Sequence, residues 1–227
     1  MNTSNSIPSL ARIAARLMPL QPTIDVLWSK LVSEENAAGP RSIGFMGSES
    51  QAGTTLMATC AGIGIARHLR ANTLLIETNH YSPGLASYAE VPDAPGLVDV
   101  LRDDASLESA IRPTDVAGFS LLPVGRFSTV PPGFYSTESA TELFEKLERM
   151  YDFALFDIAP VLEHTDAHAL LRRMDDACLV VRAGSSTNSS VEKAAREIED
   201  DGIPLLGTVL NAYKPEFPAF LGGRRAA

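Results

Sequence analysis

Cysteine, lysine and long apolar runs are all scarce in this 227-residue chain. Its two cysteines, Cys60 and Cys178, fall in apolar-periodic segments, so we expect buried free thiols and no disulfide. No apolar run reaches the roughly 20 residues that a membrane-spanning helix needs. Residues 1–6 are polar and uncharged and no apolar segment follows them, so we expect no signal peptide.

Positive charge is also in short supply. The chain has 19 Lys and Arg against 28 Asp and Glu, a net charge of −9, which argues against nucleic acid as the main partner. Hydrophobic residues make up 45% and charged residues 21% of the chain, which is typical of a globular domain with one well-buried core. The composition therefore favours a cytosolic, single-domain protein.

Short apolar segments alternate with helical ones from residue 41 onward. The pattern predicts strands at residues 42–46, 73–77, 119–123, 153–157, 177–182 and 205–210, and helices at residues 55–70, 96–102, 106–111, 139–150, 167–173 and 189–201. Strands separated by such helices indicate βαβ units. The predicted fold class is α/β, with a mainly parallel sheet sandwiched by helices. Ligands bind such sheets at the carboxyl ends of the strands.

Two further segments flank the predicted α/β domain of residues 41–212. We expect residues 1–40 to be a helical extension and residues 213–227 a loosely ordered tail. Two amphipathic helices are predicted in the extension, at residues 9–18 and 23–33. Their apolar faces are candidate docking surfaces for the domain itself or for a partner, and the residues concerned are Leu10, Ile13, Leu17, Ile24, Leu27 and Leu31. An anionic membrane surface is the alternative for the first helix, which carries two arginines.

The first predicted strand is followed by a loop of small residues, GSESQAGTT at residues 47–55, and then by a helix. This order is typical of a phosphate-binding loop, whose working form reads G-x-x-x-x-G-K-[ST]. Gly47, Gly53 and Thr55 follow its frame, but Thr54 stands where the lysine belongs. Glu49 adds a carboxylate that repels phosphate. On these residues alone, an ordinary tight turn is as good an interpretation as an ancestral nucleotide site.

The remainder of the chain resembles a known family. The matching segments follow in order: PGLVDVL at 95–101, SLESAIRP at 106–113, LLPVG at 121–125, YDFALFDIAP at 151–160, TDA at 165–167, VVRAG at 180–184 and GTVLN at 207–211. Together they resemble the cytoplasmic kinase domain of bacterial tyrosine kinases, of the CpsD and CapB type, within the P-loop group of MinD and ParA. The resemblance implies a three-layer, P-loop NTPase-like fold. It also implies a role in capsule or exopolysaccharide synthesis beside a Wzz-type polysaccharide co-polymerase of the inner membrane.

Carried over by position, the family's active site is eroded in this chain. Thr54 replaces the Walker A lysine and Gln51 replaces a loop glycine. The acidic motif after the second strand reads Glu77-Thr78-Asn79, so one carboxylate is lengthened and the other is lost. Asp157 keeps the Walker B position, and its alternative interpretation is a turn residue at a strand end. The resemblance leaves vestigial metal ligands at Thr55, Glu77 and Asp157, and it places Asn211 beside the adenine.

Outside the active site the family pattern is also altered. The arginines that usually follow the acidic motif are His80, Tyr81 and Ser82, and the C-terminal tyrosine cluster is reduced to Tyr213. The N-terminal signature that supports ring assembly, expected near residues 22–28, is missing its charged residues, which leaves a homo-oligomer open but without the ring contacts of the family. The resemblance therefore implies a pseudokinase, a cytoplasmic protein held at the membrane by its partner, with no working cofactor.

Two other functions remain open from the sequence. One is an active tyrosine autokinase or ATPase with a non-standard loop, in which an arginine from elsewhere replaces the lysine. The other is a positioning switch of the MinD or ParA kind with no role in polysaccharide export. Weak residual binding of ATP and Mg²⁺ fits all of these functions, because backbone N–H groups and a helix N-terminus bind anions without a lysine.

Overall fold

A seven-stranded sheet forms the centre of the protein. The computed structural model describes residues 41–85, 95–126 and 130–213. The strands run β3-β4-β2-β5-β1-β6-β7 across the sheet, and every pairing is parallel except that of β3 with β4. Their bounds are β1 Arg41–Gly47, β2 Thr73–Glu77, β3 Arg112–Pro113, β4 Phe119–Leu122, β5 Phe153–Ile158, β6 Asp176–Arg182 and β7 Leu205–Asn211. The predicted α/β class with a mainly parallel sheet is confirmed.

Helices cover both faces of this sheet. They are α1 Thr54–His68, α2 Leu97–Leu101, α3 Leu107–Ala110, α4 Glu138–Met150, α5 Thr165–Leu171 and α6 Asn188–Asp200, with one 3₁₀ turn at Phe134–Ser136. One buried cluster packs α1 against Phe45 and Leu75, and a second packs α4, α5 and α6 against Met46 and Leu74. Successive strand residues thus point into opposite cores, which is why the strands are apolar throughout.

The predicted elements lie within two residues of the observed ones, apart from β3. That strand has two residues and pairs antiparallel at the sheet edge, too short to produce a periodic pattern. Cys60 and Cys178 are buried free thiols, as predicted. Within the described ranges, no helix has the length and apolarity that crossing a bilayer requires. The candidate docking faces of residues 9–18 and 23–33, and the tail beyond Tyr213, lie outside the described residues.

The topology places β1 between β5 and β6, so the loops after these three strands meet at one edge. Asp157 on β5 is the register partner of both Phe45 on β1 and Glu77 on β2. The carboxyl edge of the sheet therefore brings together residues that are far apart in sequence, as a doubly wound fold does at its ligand site.

Candidate functional site

The loop between β1 and α1 turns so tightly that two of its positions exclude a larger side chain. A Cβ at Gly47 would lie 2.6 Å from the Glu49 carbonyl oxygen, and one at Gly53 would overlap the Asn211 amide. Five residues separate these glycines, one more than in the phosphate-loop pattern. The first glycine of that pattern consequently falls on Ser48, so the expected match of Gly47 to the frame is wrong by one residue, and Gly47 serves the turn out of the strand.

Gln51 occupies a backbone conformation that favours glycine. Its φ is 62° and that of Gly53 is 90°, both in the left-handed region. This geometry is what a glycine in the related loop would supply without strain. The first turn of α1 has no side-chain cap and no acidic residue, so its N–H groups face the loop in the manner of an anion site.

A cavity of about 300 Å³ lies over this loop. Its lining comprises residues 49–55 together with Asn79, Ser82, Pro83, Gly84, Pro160 and Arg182. Among the described residues that line it, Arg182 is the one basic side chain, and Thr54 contributes a neutral hydroxyl where an ammonium would stand. The cavity therefore has the position of a phosphate site but little of its charge.

Thr55 and Asp157 meet beneath the loop. The Thr55 hydroxyl donates to Asp157 Oδ2 at 2.6 Å, and Asp157 Oδ1 is buried without a partner. Burial, and then the nearby charge of Glu77, raise the pKa of Asp157 to about 8, against the lowering effect of the Thr55 hydrogen bond. In the described part of the chain, no group of three or more His, Cys, Asp or Glu side chains is placed to hold a metal ion.

Glu77 is engaged by the backbone of two other loops. Its Oε1 accepts hydrogen bonds from the N–H groups of Gly84 and Leu85, both at 2.6 Å, and its Oε2 accepts one from Val124 N–H at 3.0 Å. The side chain is fully buried, and burial raises its pKa despite these three bonds. The carboxylate therefore anchors the segments after β2 and β4. Its extra methylene, compared with aspartate, gives it the reach to do so.

Asn79 and Asn211 are both close to the phosphate loop. Asn79 lines the cavity, and its side-chain oxygen accepts from Ser82 N–H at 3.3 Å. Asn211 donates its amide to the Ala52 carbonyl at 2.8 Å, while its Oδ1 accepts from Ala212 N–H. The structure thus places Asn211 against the loop itself. Its expected adenine contact remains a prediction.

Several contacts to the loop come from residues that the sequence did not single out. Arg182 Nη1 donates to the Gln51 carbonyl at 3.1 Å. Glu163, in the loop after β5, accepts from the N–H and the hydroxyl of Ser50. These partners lie 131 and 113 residues apart in sequence, so no local pattern points to them. Arg182 also borders a second cavity of about 620 Å³ between β6, α6 and the end of β7.

The aromatic side chains of His80 and Tyr81 lie at positions where the resemblance implies arginines. Tyr81 stacks on His164 with ring centroids 3.6 Å apart, and its hydroxyl donates to Asp166 at 3.2 Å. His80 is 3% exposed, its Nδ1 has no partner, and burial lowers its pKa. The segment after the acidic motif therefore packs through rings and presents no guanidinium to the cavity.

A mainly parallel sheet with a strand, a small-residue turn and a helix at its carboxyl edge defines the class of P-loop NTPase-like folds. No family model matches the chain. Among solved structures, the chimerical protein CapA2B2 superposes with a TM-score of 0.81 at 21% identity, covering 92% of this chain and 93% of the other. The kinase domain of the Escherichia coli tyrosine kinase ETK gives 0.74 at 20% identity, covering 87% and 78%. The MinD ATPase of Pyrococcus furiosus gives 0.59 at 25% identity, covering 77% and 73%.

The sequence relatives of the chain are tyrosine-protein kinases of bacteria. Tyrosine-protein kinase Wzc of Salmonella typhi is 31% identical over 117 residues, 52% of this chain and 16% of Wzc. The putative tyrosine-protein kinase EpsB of Ralstonia solanacearum is 26% identical over 206 residues, 89% of this chain and 27% of EpsB. CpsD of Streptococcus pneumoniae is 26% identical over 157 residues, 67% of this chain and 69% of CpsD. The chain is a homologue of bacterial tyrosine kinases, and it spans only about a sixth to a quarter of Wzc and EpsB.

Proposed function

We propose that the protein is a catalytically degenerate homologue of bacterial tyrosine kinases, and that it serves as a cytoplasmic partner or regulator of a polysaccharide co-polymerase of the inner membrane. The observation that carries this proposal is the neutral Thr54 hydroxyl at the position of the loop lysine, in a cavity bordered by the Glu49 carboxylate. A protein that is retained for its binding surface, and not for catalysis, would keep the fold while its active site loses the residues that catalysis needs.

The loss at Thr54 is large on physical grounds. A lysine at this position neutralises the β- and γ-phosphates and stabilises the charge that develops during transfer. Losing one charge-assisted contact weakens binding by roughly 1.5–3 kcal/mol, and losing a preorganised transition-state donor lowers the rate by on the order of 10²–10³. The Glu49 carboxylate at the rim of the cavity also repels phosphate, which weakens binding and slows transfer further.

The residues that are expected to hold Mg²⁺ also fit ATP·Mg²⁺ poorly. Thr55 and Asp157 are the residues that would face a metal ion, but Glu77 already accepts three backbone hydrogen bonds and Asn79 has no carboxylate. Burial raises the pKa of Asp157 to about 8, so a Mg²⁺ ion would have to displace a proton from this carboxyl group in order to bind it. We therefore assign no catalytic step through bound nucleotide, and leave only weak anion binding by the loop.

The partner assignment rests on the resemblance to kinases that work with co-polymerases. The candidate contacts are the apolar faces predicted in residues 9–18 and 23–33. The test is co-expression of the full chain with the co-polymerase of its own genome. We expect the two to co-purify without phosphotyrosine on the full chain, and we expect deletion of residues 1–20 to abolish co-purification while leaving the melting temperature unchanged. Co-purification that survives the deletion would refute the role of that helix, and no co-purification of the full chain would refute the partnership.

Arg182 favours a second function, an active autokinase or ATPase with a borrowed cation. Its guanidinium bonds the loop at the Gln51 carbonyl and borders both cavities. If it replaces the lysine, phosphotyrosine should appear on the purified chain and disappear in Arg182→Ala, while Arg196→Ala on the exposed face of α6 keeps the signal. The likeness to MinD in fold supports a positioning switch as a third function, and a nearby co-polymerase gene would argue against it.

A further inference from the structure

Two carboxylates tether the phosphate loop, Glu163 from outside the loop and Glu49 from within it. Glu163 accepts from Ser50 N–H at 2.7 Å and from the Ser50 hydroxyl at 2.5 Å. On the other side of the loop, the half-buried Glu49 accepts from the hydroxyls of Ser185 at 2.9 Å and Ser186 at 2.8 Å. Hydrogen bonds to an ionised carboxylate are about twice as strong as neutral ones, and water screens the exposed Glu163 contact more than the contact of the half-buried Glu49.

These tethers hold neighbouring residues of one short segment. Between them, Arg182 bonds the Gln51 carbonyl at 3.1 Å and Asn211 bonds the Ala52 carbonyl at 2.8 Å. Residues 49–52 are thus attached to the loops after β5 and β6 and to the end of β7. Two of the four attachments involve a carboxylate, and the one made by Glu163 uses a backbone N–H group of the kind that binds an anion.

We propose that Glu49 and Glu163 form an acidic latch, an internal contact that closes the phosphate loop against polyphosphate anions. The latch rests on the proposed function, since it is a second barrier beside the missing lysine. Glu163 supplies an anion to Ser50 in place of a ligand, and Glu49 places a carboxylate at the cavity wall. Restoring the lysine alone then leaves the site closed, because a nucleotide must still displace one carboxylate and lie beside the other.

The test compares two pairs of alanine substitutions that remove the same charge. Glu49→Ala with Glu163→Ala opens the latch. Glu145→Ala with Glu199→Ala is the control: both side chains are exposed on helices, and Glu145 forms an i,i+4 ion pair with Arg149 of its own helix. Each pair is made in the full chain with Thr54 and again with Thr54→Lys, and each protein is titrated with ATP·Mg²⁺ in a calorimeter after its melting curve shows that it is folded.

In the Thr54→Lys background, the latch predicts that the opened variant binds at least about tenfold more tightly than the control pair, the equivalent of one charge-assisted hydrogen bond. Equal ATP·Mg²⁺ affinities of the opened variant and the control variant would overturn the latch. So would binding by Thr54→Lys alone that is as tight as binding by the opened Thr54→Lys variant. Either result would leave the proposed function standing. Sub-millimolar binding by the unaltered chain would instead overturn the proposed function, and the comparison of the two pairs would still decide the latch. As a second readout, amide exchange at Ser50 should accelerate in Glu163→Ala, and unchanged exchange counts against the latch.

Discussion

Two buried carboxyl groups face each other across neighbouring strands at the centre of this site. Glu77 and Asp157 are register partners, and both are fully buried. Burial raises the pKa of each, yet their hydrogen bonding differs, because Glu77 has three backbone donors and Asp157 has one hydroxyl. One carboxylate therefore stabilises loops, while the other keeps an unpartnered oxygen.

The role of Glu77 as an anchor predicts an unusual response to Glu77→Asp. This change restores the residue that the family pattern expects, but the shorter side chain withdraws from the N–H groups of Gly84, Leu85 and Val124. We expect the free energy of unfolding to fall by about 2–4 kcal/mol, measured by urea denaturation. Glu145→Asp, at an exposed position of α4, is the matched control and should be neutral. A Glu77→Asp protein as stable as the unaltered chain would show that the three bonds are dispensable.

The raised pKa of Asp157 predicts a pH dependence of stability. Because its pKa in the folded chain is about 8 against an ordinary 3.8, the folded state holds the proton more tightly than the unfolded state. The stability that this bound proton gives to the folded state is fully present below the ordinary pKa of 3.8, and it is lost as the pH rises through about 8. When the pH rises from about 5 to about 8, the free energy of unfolding of the unaltered chain should therefore fall by a few kcal/mol more than that of Asp157→Asn.

Urea unfolding at both pH values measures this difference. Glu77 remains in Asp157→Asn and its pKa is shifted in the same direction, so part of the slope persists. Asp200→Asn, which changes an exposed carboxyl at the end of α6, should keep the full slope. If the free energy of unfolding changes with pH by the same amount in the unaltered chain and in Asp157→Asn, then Asp157 is ionised in the folded protein at neutral pH.

At the scale of elements, the β1–α1 loop carries backbone strain at Gln51. A side chain in the left-handed region costs about 1 kcal/mol, and glycine avoids that cost. We therefore expect Gln51→Gly to exceed Gln51→Ala in unfolding free energy by about 1 kcal/mol. Thermal denaturation of the pair provides the comparison, since both remove the same polar side chain. Equal stability would indicate that the loop relaxes out of this conformation in solution.

Helix α1 predicts a second backbone effect, at Gly62. Replacing a mid-helix glycine by alanine ordinarily stabilises a helix by about 1 kcal/mol. Here the new Cβ would overlap the ring of Phe119, which is 1% exposed in the core. Gly62→Ala should therefore lower the unfolding free energy by about 1–3 kcal/mol. Combining it with Phe119→Leu should recover part of the loss, and strict additivity of the two changes would contradict the proposed overlap.

The sequence predicted the elements far better than the contacts between their loops. Apolar strands covered on both faces, alternating with helices, leave a local pattern. The nearness of Thr55 and Asp157 was implied by the resemblance to the kinase family and not by that pattern, and the structure joins the two side chains by a hydrogen bond. The engagement of Glu77 by three backbone N–H groups was not predicted, because strand ends carry no signal of which distant amides will meet them. The contacts of Glu163 and Arg182 to the loop depend on the path of whole loops, which only the folded chain reveals.

Across the whole molecule, the residues that build the cores differ, apart from Ala52, from those that line the candidate site. The sheet order, the two buried cores and the superposition on kinase structures all describe an intact P-loop-like domain. The changes at Thr54, Asn79 and the aromatic segment after it lie at the carboxyl edge of the sheet and leave the cores untouched. A domain can therefore keep its stability and its outer surfaces while the nucleotide site decays, because the cores are built from other residues.

We propose that this domain has lost productive nucleotide binding. Calorimetric titration of the full chain with ATP·Mg²⁺, with phosphate release followed in the same sample, tests this proposal. We predict no binding heat at sub-millimolar nucleotide and no phosphate release. A saturable binding isotherm in that range, accompanied by turnover, would contradict the claim and point to Arg182 as the replacement for the missing lysine.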